Sequence, residues 1–301
     1  MTTARVRCAL IGAAGQLGFD LARSFDLPGE LIRLTRADLD VLDRAAVARV
    51  LGGLRPTHVV NTAAYNLVDR AEDEREQAFA VNAAAVGVLG DVCDALGATL
   101  VHFSTDYVFD GSRSTPYGED DAPAPLSAYA ESKLEGERRA LAHGRPAFVF
   151  RVCGLFGVAP ATGTRRTNFV DLMLRMAREG RPLRVVSDQV LTPSYTFDLA
   201  PKVWRVVGRG APGLYHLTNG GATSWYDFAR EIFRLSGLTP SLTAVTAAEY
   251  GARARRPPYS VLGHGRLAAL GEDDLRSWKD ALAAYLRERE AVSAASARGG
   301  S

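Results

Sequence analysis

Three glycines near the N-terminus constrain the fold of this chain more than any other feature. An apolar run over residues 6–11 leads into Gly12-x-x-Gly15-x-x-Gly18, and an apolar pattern with helical periodicity follows. This order predicts a buried parallel strand, a tight turn and a helix. The spacing differs from the usual G-x-G-x-x-G. Even so, glycines in this context let the backbone approach a pyrophosphate, and the helix N-terminus offers amides to its charge.

Short apolar segments continue to alternate with helical patterns through the first half of the chain. We expect further strands at 31–34, 58–61, 99–103 and 147–152. Strands that alternate with crossover helices predict a doubly wound parallel sheet of the Rossmann type. Past Gly157 the pattern changes, which predicts a smaller C-terminal α/β substrate-binding region.

The domain boundaries follow from this change in pattern. We expect a dinucleotide-binding domain at 1–157, with a segment at about 196–217 that returns to the sheet. The substrate-binding region then comprises 158–195 and 218–290. Residues 291–301 are small and polar and are expected to be a disordered tail.

Composition argues against several classes of protein. The net charge is +2, and no basic run reaches the roughly five to eight residues that would favour nucleic acid. Three widely spaced cysteines without a CxxC motif favour a reducing, cytoplasmic location. No signal-peptide pattern and no stretch approaching about 20 apolar residues is evident, so we expect no membrane association. The acidic residues have no metal-ligand spacing, and no metal site is assigned.

Tyr129 and Lys133 are the strongest candidates for catalysis. Four residues apart, they share one face of a predicted helix, and a fixed cation favours the phenolate and lowers its pKa. Of 36 basic residues only three are lysines, so a lysine here is unlike generic surface charge. Thr105 ends the preceding strand and carries a hydroxyl that can bind the same substrate oxygen. The alternative is a half-buried tyrosine beside a solvated lysine.

Further candidates for cofactor binding follow the predicted strands. Arg36 favours NADPH, with NADH as the alternative, because a guanidinium can accept a 2′-phosphate. Small residues after the third strand leave room for a cofactor, and Asn82 is either exposed or a buried hydrogen-bonding post. The predicted cofactor-binding residues are Gly12, Gly15, Gln16, Leu17, Gly18, Arg36, Asp40, Val41, Ala63, Ala64, Tyr65, Asn82, Tyr129 and Lys133.

These motifs together resemble the extended short-chain dehydrogenase/reductases. A more specific resemblance, to the dTDP-4-dehydrorhamnose reductases, covers about residues 5–287. It rests on these segments: Ser104-Thr105-Asp106-Tyr107-Val108-Phe109-Asp110-Gly111, Tyr215-His216-Leu217-Thr218-Asn219, Ser224-Trp225-Tyr226-Asp227-Phe228-Ala229, Arg256-Pro257-Pro258-Tyr259-Ser260 and Trp278-Lys279-Asp280-Ala281-Leu282.

The resemblance implies reduction of the C4 keto group of a dTDP-linked 4-keto-6-deoxy sugar by NAD(P)H. It implies that Tyr129 donates the proton, Lys133 binds the nicotinamide ribose and Thr105 hydrogen-bonds the carbonyl oxygen. A homodimer is plausible by the same resemblance. The implied substrate-binding residues are Asn66, Thr105, Asp106, Tyr107, Val108, Gly154, Asn168, Gln189 and Arg256.

Several positions depart from the family pattern. Gly154 stands where an aromatic is usual, Asn66 where a threonine is common, and the loop at Gln189 lacks a glycine. These departures leave the exact sugar open and suggest, beside the rhamnose precursor, a related 4-keto sugar or a free keto or aldehyde substrate. Cys153 is interpreted as a core or pocket-lining residue, not a reactive thiol.

Three other functions compete with a keto-sugar reductase. Tyr107 occupies a position where sugar-nucleotide dehydratases carry a carboxylate, so a dehydratase is disfavoured. A non-catalytic NADP-binding subunit, resembling the regulatory partner of methionine adenosyltransferase, would not need Thr105, Tyr129 and Lys133. A reductase of a non-nucleotide substrate stays open, although a basic set favours a phosphorylated one. That set is Arg165, Arg166, Arg253, Arg255 and Arg256.

Overall fold

A computed structural model describes residues 5–158 and 168–298, and the side chains as far as 292. The first half of the chain alternates strands and helices, and a π-helical turn (Ala80–Ala84) joins α3 to α4. Its elements are β1 (Val6–Ile11), α1 (Gln16–Arg23), β2 (Gly29–Leu34), α2 (Arg44–Leu54), β3 (His58–Asn61), α3 (Arg75–Phe79), α4 (Ala85–Leu96), β4 (Thr99–Thr105), α5 (Ala128–Leu141) and β5 (Ala147–Val152).

The second half has short strands between longer helices. Its elements are β6 (Leu155–Phe156), α6 (Phe169–Arg178), β7 (Leu183–Val186), β8 (Val190–Leu191), β9 (Ser194–Tyr195), α7 (Thr196–Arg209), β10 (Gly213–His216), β11 (Thr223–Ser224), α8 (Trp225–Ser236), β12 (Leu242–Val245), α9 (Ala247–Tyr250), α10 (Gly265–Ala269) and α11 (Trp278–Arg298).

Six strands form one parallel sheet in the order β10-β5-β4-β3-β1-β2. Helices cover both faces, and each face has its own core. Leu10, Phe150 and Trp204 belong to one, and Val59 and Leu89 to the other. The predicted doubly wound sheet is thus confirmed, including the strand that returns near the end of the 196–217 segment.

A separate core lies among the helices of the second half. Phe228, Trp278 and Tyr285 are buried together in it. Small two-stranded pairs flank this core, such as the parallel pair β7 and β12. The domain boundaries themselves stay a prediction.

Two expectations about helices are wrong. The tail predicted to be disordered from residue 291 is helical through Arg298, because four alanines and an arginine, which have high helix propensity, continue α11 there. Residues 299–301 lie outside the described part. The expectation that no stretch approaches a membrane span in apolar character is the second, because the segment Arg75–Leu96 reaches the length and mean hydropathy (1.5) of one. Val86, Leu89 and Cys93 of this segment are buried against the sheet, and 39% of its apolar window is buried in the protein.

The sheet determines where a site can form. In a parallel doubly wound sheet the carboxyl ends of the strands lie at one edge, and ligands bind there. At this edge β1 ends in the glycine turn, β3 leads into Ala63, and β4 ends at Thr105. The basic loop that carries Arg165 and Arg166 lies outside the described residues.

Candidate active site

The turn after β1 is built from backbone atoms. Gly12 has a φ of +80°, and a Cβ there would lie 2.5 Å from Thr62 Oγ1. A Cβ on Gly18 would collide with the carbonyl oxygen of Gly12, so this glycine lets α1 pack against the strand. Gly15 caps α1 without a side-chain hydrogen bond, and the first turn holds no acidic residue. The helix N-terminus is therefore suited to a phosphate group.

The two residues after Gly15 differ in their surroundings. The Leu17 side chain is buried in the core, so a cofactor can meet only its backbone. Gln16 lies at the junction with the second half of the chain, where its Oε1 is 3.4 Å from Asn168 Nδ2. The predicted roles of both residues stay predictions.

The edge after β2 carries the predicted adenosine contacts. Arg36 is 86% exposed and lies 3.8 Å from Asp40 between Nη2 and Oδ2, so its guanidinium can move toward a 2′-phosphate. The backbone amide of Leu42 donates to Asp40 Oδ1 at 3.0 Å. Val41 is buried in the core beneath this edge, and its side chain packs there.

Of the two alternatives predicted for Asn82, the structure shows the buried, hydrogen-bonded one. Its amide bonds both the N–H and the C=O of Tyr65, at 2.9 and 3.0 Å, and donates to Ser132 Oγ at 2.9 Å. The loop that contains Ala63 and Ala64 is thereby held against α5, one residue from Lys133. Asn82 acts through this loop, and Ser132, which sequence reasoning missed, completes the connection.

The three predicted catalytic side chains are brought together. Tyr129 is partly exposed on α5, and its phenol is hydrogen-bonded to Thr105. Burial raises the pKa of Tyr129 to about 12, although that hydrogen bond lowers it. The pKa of the phenol is thus raised, not lowered as the pairing with Lys133 predicted, and burial is the main cause. The phenol is protonated at neutral pH, as a proton donor must be.

Lys133 is almost fully buried behind the phenol. Its Nζ donates to the carbonyl oxygen of Phe103 at 2.5 Å. Burial lowers its pKa to about 8, whereas Glu137, one turn further along α5, raises it. Glu137 in turn forms a buried bidentate pair with Arg151, at 2.9 and 2.8 Å. This pair, not recognised from the sequence, keeps a carboxylate near the lysine.

Asp106 does not face open space, in contrast to its predicted role in binding the substrate. It is 2% exposed, and its carboxylate accepts hydrogen bonds from three side chains. Thr105 Oγ1 donates at 3.1 Å, Cys153 Sγ at 3.0 Å and Ser260 Oγ at 2.5 Å. Burial raises the pKa of Asp106 to about 6, against these three bonds. Burial also raises the pKa of Cys153 well above its usual value, as expected of a core thiol.

The next two residues have different surroundings. Tyr107 lies edge-on to Tyr129, with ring centroids 6.2 Å apart, and is hydrogen-bonded to Arg256. Val108 is fully buried with Phe109 and is not available to a substrate, which contradicts its predicted role. Its carbonyl oxygen accepts a hydrogen bond from Ala124, so its backbone is structural as well.

Among the residues predicted to bind the nucleotide-sugar, Asn168 is hydrogen-bonded within the protein. Its Oδ1 caps α6 by accepting from Asp171 N at 2.9 Å, and its Nδ2 donates to Tyr285 Oη at 3.1 Å. These bonds give it a structural role that its sequence match did not reveal. Gln189 is largely buried (8% exposed), and its neighbour Val190 bonds the backbone of Pro258, two residues from Arg256.

The departures from the family pattern reshape the site. Gly154 has a φ of +49°, and a Cβ there would lie 3.1 Å from Leu191 Cδ1 and 3.5 Å from Trp225 Cη2. Neighbouring side chains thus occupy the space where a side chain at 154 would begin. Asn66 is exposed beside the loop that Asn82 holds. Of Arg253, Arg255 and Arg256, only Arg256 is hydrogen-bonded to a tyrosine that contacts Tyr129, within the described residues.

The chemistry of these residues fits a nicotinamide dinucleotide. The glycine cradle would receive the pyrophosphate, and the exposed Arg36 lies at the edge where an adenosine ribose would be held. Within the part of the chain that the structure describes, no group of three or more His, Cys, Asp or Glu side chains is placed to hold a metal ion.

The sheet, the glycine turn and the Tyr129–Lys133 pair define an extended short-chain dehydrogenase/reductase. A model of the family described as "RmlD substrate binding domain" matches residues 6–291, and the chain belongs to this family.

Two curated relatives match over most of their length. The spore coat polysaccharide biosynthesis protein SpsK of Bacillus subtilis is 38% identical over 93% of this chain and 97% of its own. A probable dTDP-4,6-dihydroxy-2-methyloxan-3-one 4-ketoreductase of Streptomyces antibioticus is 40% identical over 92% and 93%. The crystal structure of dTDP-4-dehydrorhamnose reductase from Bacillus anthracis in complex with NADP superposes with a TM-score of 0.88. It is 33% identical and covers 94% of this chain and 99% of its own.

Proposed function

We propose that this protein is a reductase that transfers a hydride from NADPH to the C4 keto group of a dTDP-linked 4-keto-6-deoxy sugar. The placement of Thr105, Tyr129 and Lys133 together, at the edge of the sheet where the glycine turn lies, carries the proposal. The names of the Streptomyces antibioticus and Bacillus anthracis relatives support the reaction and the class of substrate.

The residues of the glycine turn would hold the cofactor, with Arg36 at the 2′-phosphate and Lys133 at the nicotinamide ribose. Bound NADPH supplies the hydride that reduces the keto carbon. Tyr129, protonated at neutral pH, gives its proton to the oxygen of that carbonyl.

In this mechanism Thr105 restrains the orientation of Tyr129, the proton donor. Its hydroxyl accepts a hydrogen bond from Tyr107 N at 3.2 Å and donates to the buried Asp106. The phenol of Tyr129 therefore meets a fixed oxygen, which restrains the ring for donation to the substrate. If the hydroxyl of Thr105 turns from Asp106, it becomes a second donor to the developing oxyanion.

The identity of the sugar depends on the surroundings of Gly154. The two relatives and the solved structure are named for different functions or substrates within deoxysugar and polysaccharide chemistry. Leu191 and Trp225 lie near Gly154, and we propose that the substrate is dTDP-4-keto-rhamnose or a related dTDP-4-keto-6-deoxy hexose.

We also propose a cytoplasmic location, which the free cysteines Cys8, Cys93 and Cys153 support. A homodimer, and the absence of nucleic-acid and membrane partners, stay predictions. Light scattering during size-exclusion chromatography measures the oligomeric state directly.

The test is NADPH oxidation by the purified protein with dTDP-4-keto-L-rhamnose and then with other dTDP-4-keto-6-deoxy hexoses. We expect turnover with at least one sugar, and we expect Tyr129→Phe to lower kcat by roughly 10²- to 10⁴-fold with unchanged NADPH affinity. Full activity of Tyr129→Phe would remove the proposed acid. Cofactor binding without turnover of any sugar would favour a non-catalytic cofactor-binding subunit.

A further inference from the structure

The carboxylate of Asp69, which is not among the predicted site residues, forms an ion pair with Arg256, a predicted substrate-binding residue. Asp69 lies in the loop after β3, and Arg256 lies in the second half of the chain. Arg256 donates from Nη1 to Oδ1 at 3.0 Å and from Nη2 to Oδ2 at 2.7 Å. Ala254 N also donates to Asp69 Oδ1, at 3.0 Å. Two parallel bonds fix the plane of a guanidinium as well as its distance.

Arg256 connects this ion pair to the catalytic residues. Its side chain is only 18% exposed, and it is hydrogen-bonded to Tyr107, which lies edge-on to Tyr129. The guanidinium is therefore held between a carboxylate of the loop after β3 and an aromatic side chain beside the proton donor. The same loop begins with Ala63 and Ala64, the predicted cofactor contacts.

The pair differs from a surface contact on the side of the arginine: the side chain of Arg256 is 18% exposed, whereas that of Asp69 is 48% exposed. The hydrogen bond from Arg256 lowers the pKa of Asp69, so this carboxylate is ionised throughout the neutral range. A second ion pair, between Arg253 and Asp73, links the same two segments, but its side chains are 61% and 52% exposed. Exposed pairs of this kind contribute little, which makes Asp73 a matched control.

We propose that Asp69 is a positioning residue for the substrate: it holds the guanidinium of Arg256 beside Tyr107, ready to bind the anionic, nucleotide-linked end of the keto-sugar. The assignment rests on the proposed function for the identity of the substrate. Asp69 touches neither the reacting carbonyl nor the proton donor, and it acts through Arg256. Its loss thus weakens substrate binding more than it slows the chemical step.

The experiment compares Asp69→Asn, Asp69→Glu and Asp73→Asn with the unchanged protein. It measures KM and kcat for the keto-sugar, the Kd of dTDP by calorimetry and the Kd of NADPH by fluorescence. We expect Asp69→Asn to raise both KM and the Kd of dTDP about tenfold, with kcat within about threefold, since a charge-assisted bidentate contact is lost. Asp69→Glu should restore part of the affinity, and Asp73→Asn should stay within about twofold.

Three results would overturn the inference. The first is an unchanged or lower KM and dTDP Kd in Asp69→Asn, which would make Asp69 irrelevant to Arg256 or a competitor of the substrate. The second is an equal loss in Asp73→Asn. The third is a parallel loss of NADPH affinity in Asp69→Asn, which would indicate a general structural role.

Failure of the proposed function has a different signature. If the unchanged protein reduces no keto-sugar, the proposed reaction is wrong, and the dTDP measurement on the same variants still decides the role of Asp69. Weaker dTDP binding by Asp69→Asn would support the inference even then. A protein that binds no dTDP would overturn both.

Discussion

The glycine turn after β1 and the segment around Arg256 border the same edge of the sheet, yet they are built in different ways. The turn has no room for a Cβ, because Gly12 packs on the Thr62 side chain and the Ala63 backbone, and Gly18 packs on the backbone of Gly12. The Arg256 segment is fastened by side chains, through Asp69 at one point and through Ser260 to Asp106 at another. The glycine turn therefore does not accept a side chain at Gly12 or Gly18, whereas the contacts of the Arg256 segment can be changed one side chain at a time.

The largest effect is expected from Gly12→Ala. The new Cβ would lie 2.5 Å from Thr62 Oγ1 and 3.0 Å from Ala63 N, in a backbone conformation with a φ of +80°. Overpacking and the left-handed backbone together should lower the free energy of unfolding by roughly 3 kcal/mol and abolish tight NADPH binding. Urea denaturation and fluorescence titration measure these two effects.

Gly52 provides the control. It lies in α2 with nothing within 4 Å of an added Cβ. Gly52→Ala should raise stability by about 0.5–1 kcal/mol through helix propensity and leave NADPH affinity unchanged. Comparable damage at both positions would remove the distinction between a backbone-built turn and an ordinary helix surface.

The pH dependence of kcat/KM for NADPH tests the role of Lys133, a predicted contact of the cofactor that lies beside the catalytic tyrosine. Because the pKa of Lys133 is lowered by burial to about 8, the ammonium is present below that pH and lost above it. We expect kcat/KM to fall about tenfold per unit above pH 8, since this parameter reports ionisations of the free enzyme. Lys133→Arg, which cannot deprotonate, should remove this limb; its persistence would assign the limb to another group.

Arg36→Ala isolates the side-chain part of the cofactor site. The guanidinium is 86% exposed, so its removal should not disturb the fold. We expect the preference for NADPH over NADH, measured as a ratio of kcat/KM values, to fall about tenfold with the loss of one charge-assisted contact. An unchanged ratio would mean that Arg36 is a solvated surface residue.

The smallest effect is expected from Cys153→Ala. Its Sγ is one of three donors to Asp106, and two would remain. The free energy of unfolding should decrease by about 0.5–1.5 kcal/mol, with less change in Cys153→Ser, which keeps a donor. A Cys153→Ser variant less stable than Cys153→Ala would indicate that the thiol acts through packing instead.

Local patterns were sufficient for the frame of the molecule. The strands, the parallel sheet and the glycine turn follow from periodicity and from residues close together in the chain, and the structure confirms them. The Tyr129–Lys133 pair belongs to this class, because one helix carries both residues.

The surroundings of the catalytic group depended on the tertiary structure. Arg256 and Asp69 are 187 residues apart in the chain, and Ser260 and Asp106 are 154 apart. No periodicity relates residues at such separations, so their pairing emerges only when the loops meet over the sheet. Burial is decided at the same stage.

Burial therefore explains where the sequence-based assignments are wrong or incomplete. It raises the pKa of Tyr129 where the sequence favoured a lower one, and it encloses Asp106 and Val108 where the sequence favoured substrate contacts. The sequence by itself determined the sheet, the turn and the reactive pair, because their spacing is local. The tertiary structure alone decided which polar groups are available to the substrate and which are hydrogen-bonded within the protein, because that depends on contacts between distant segments.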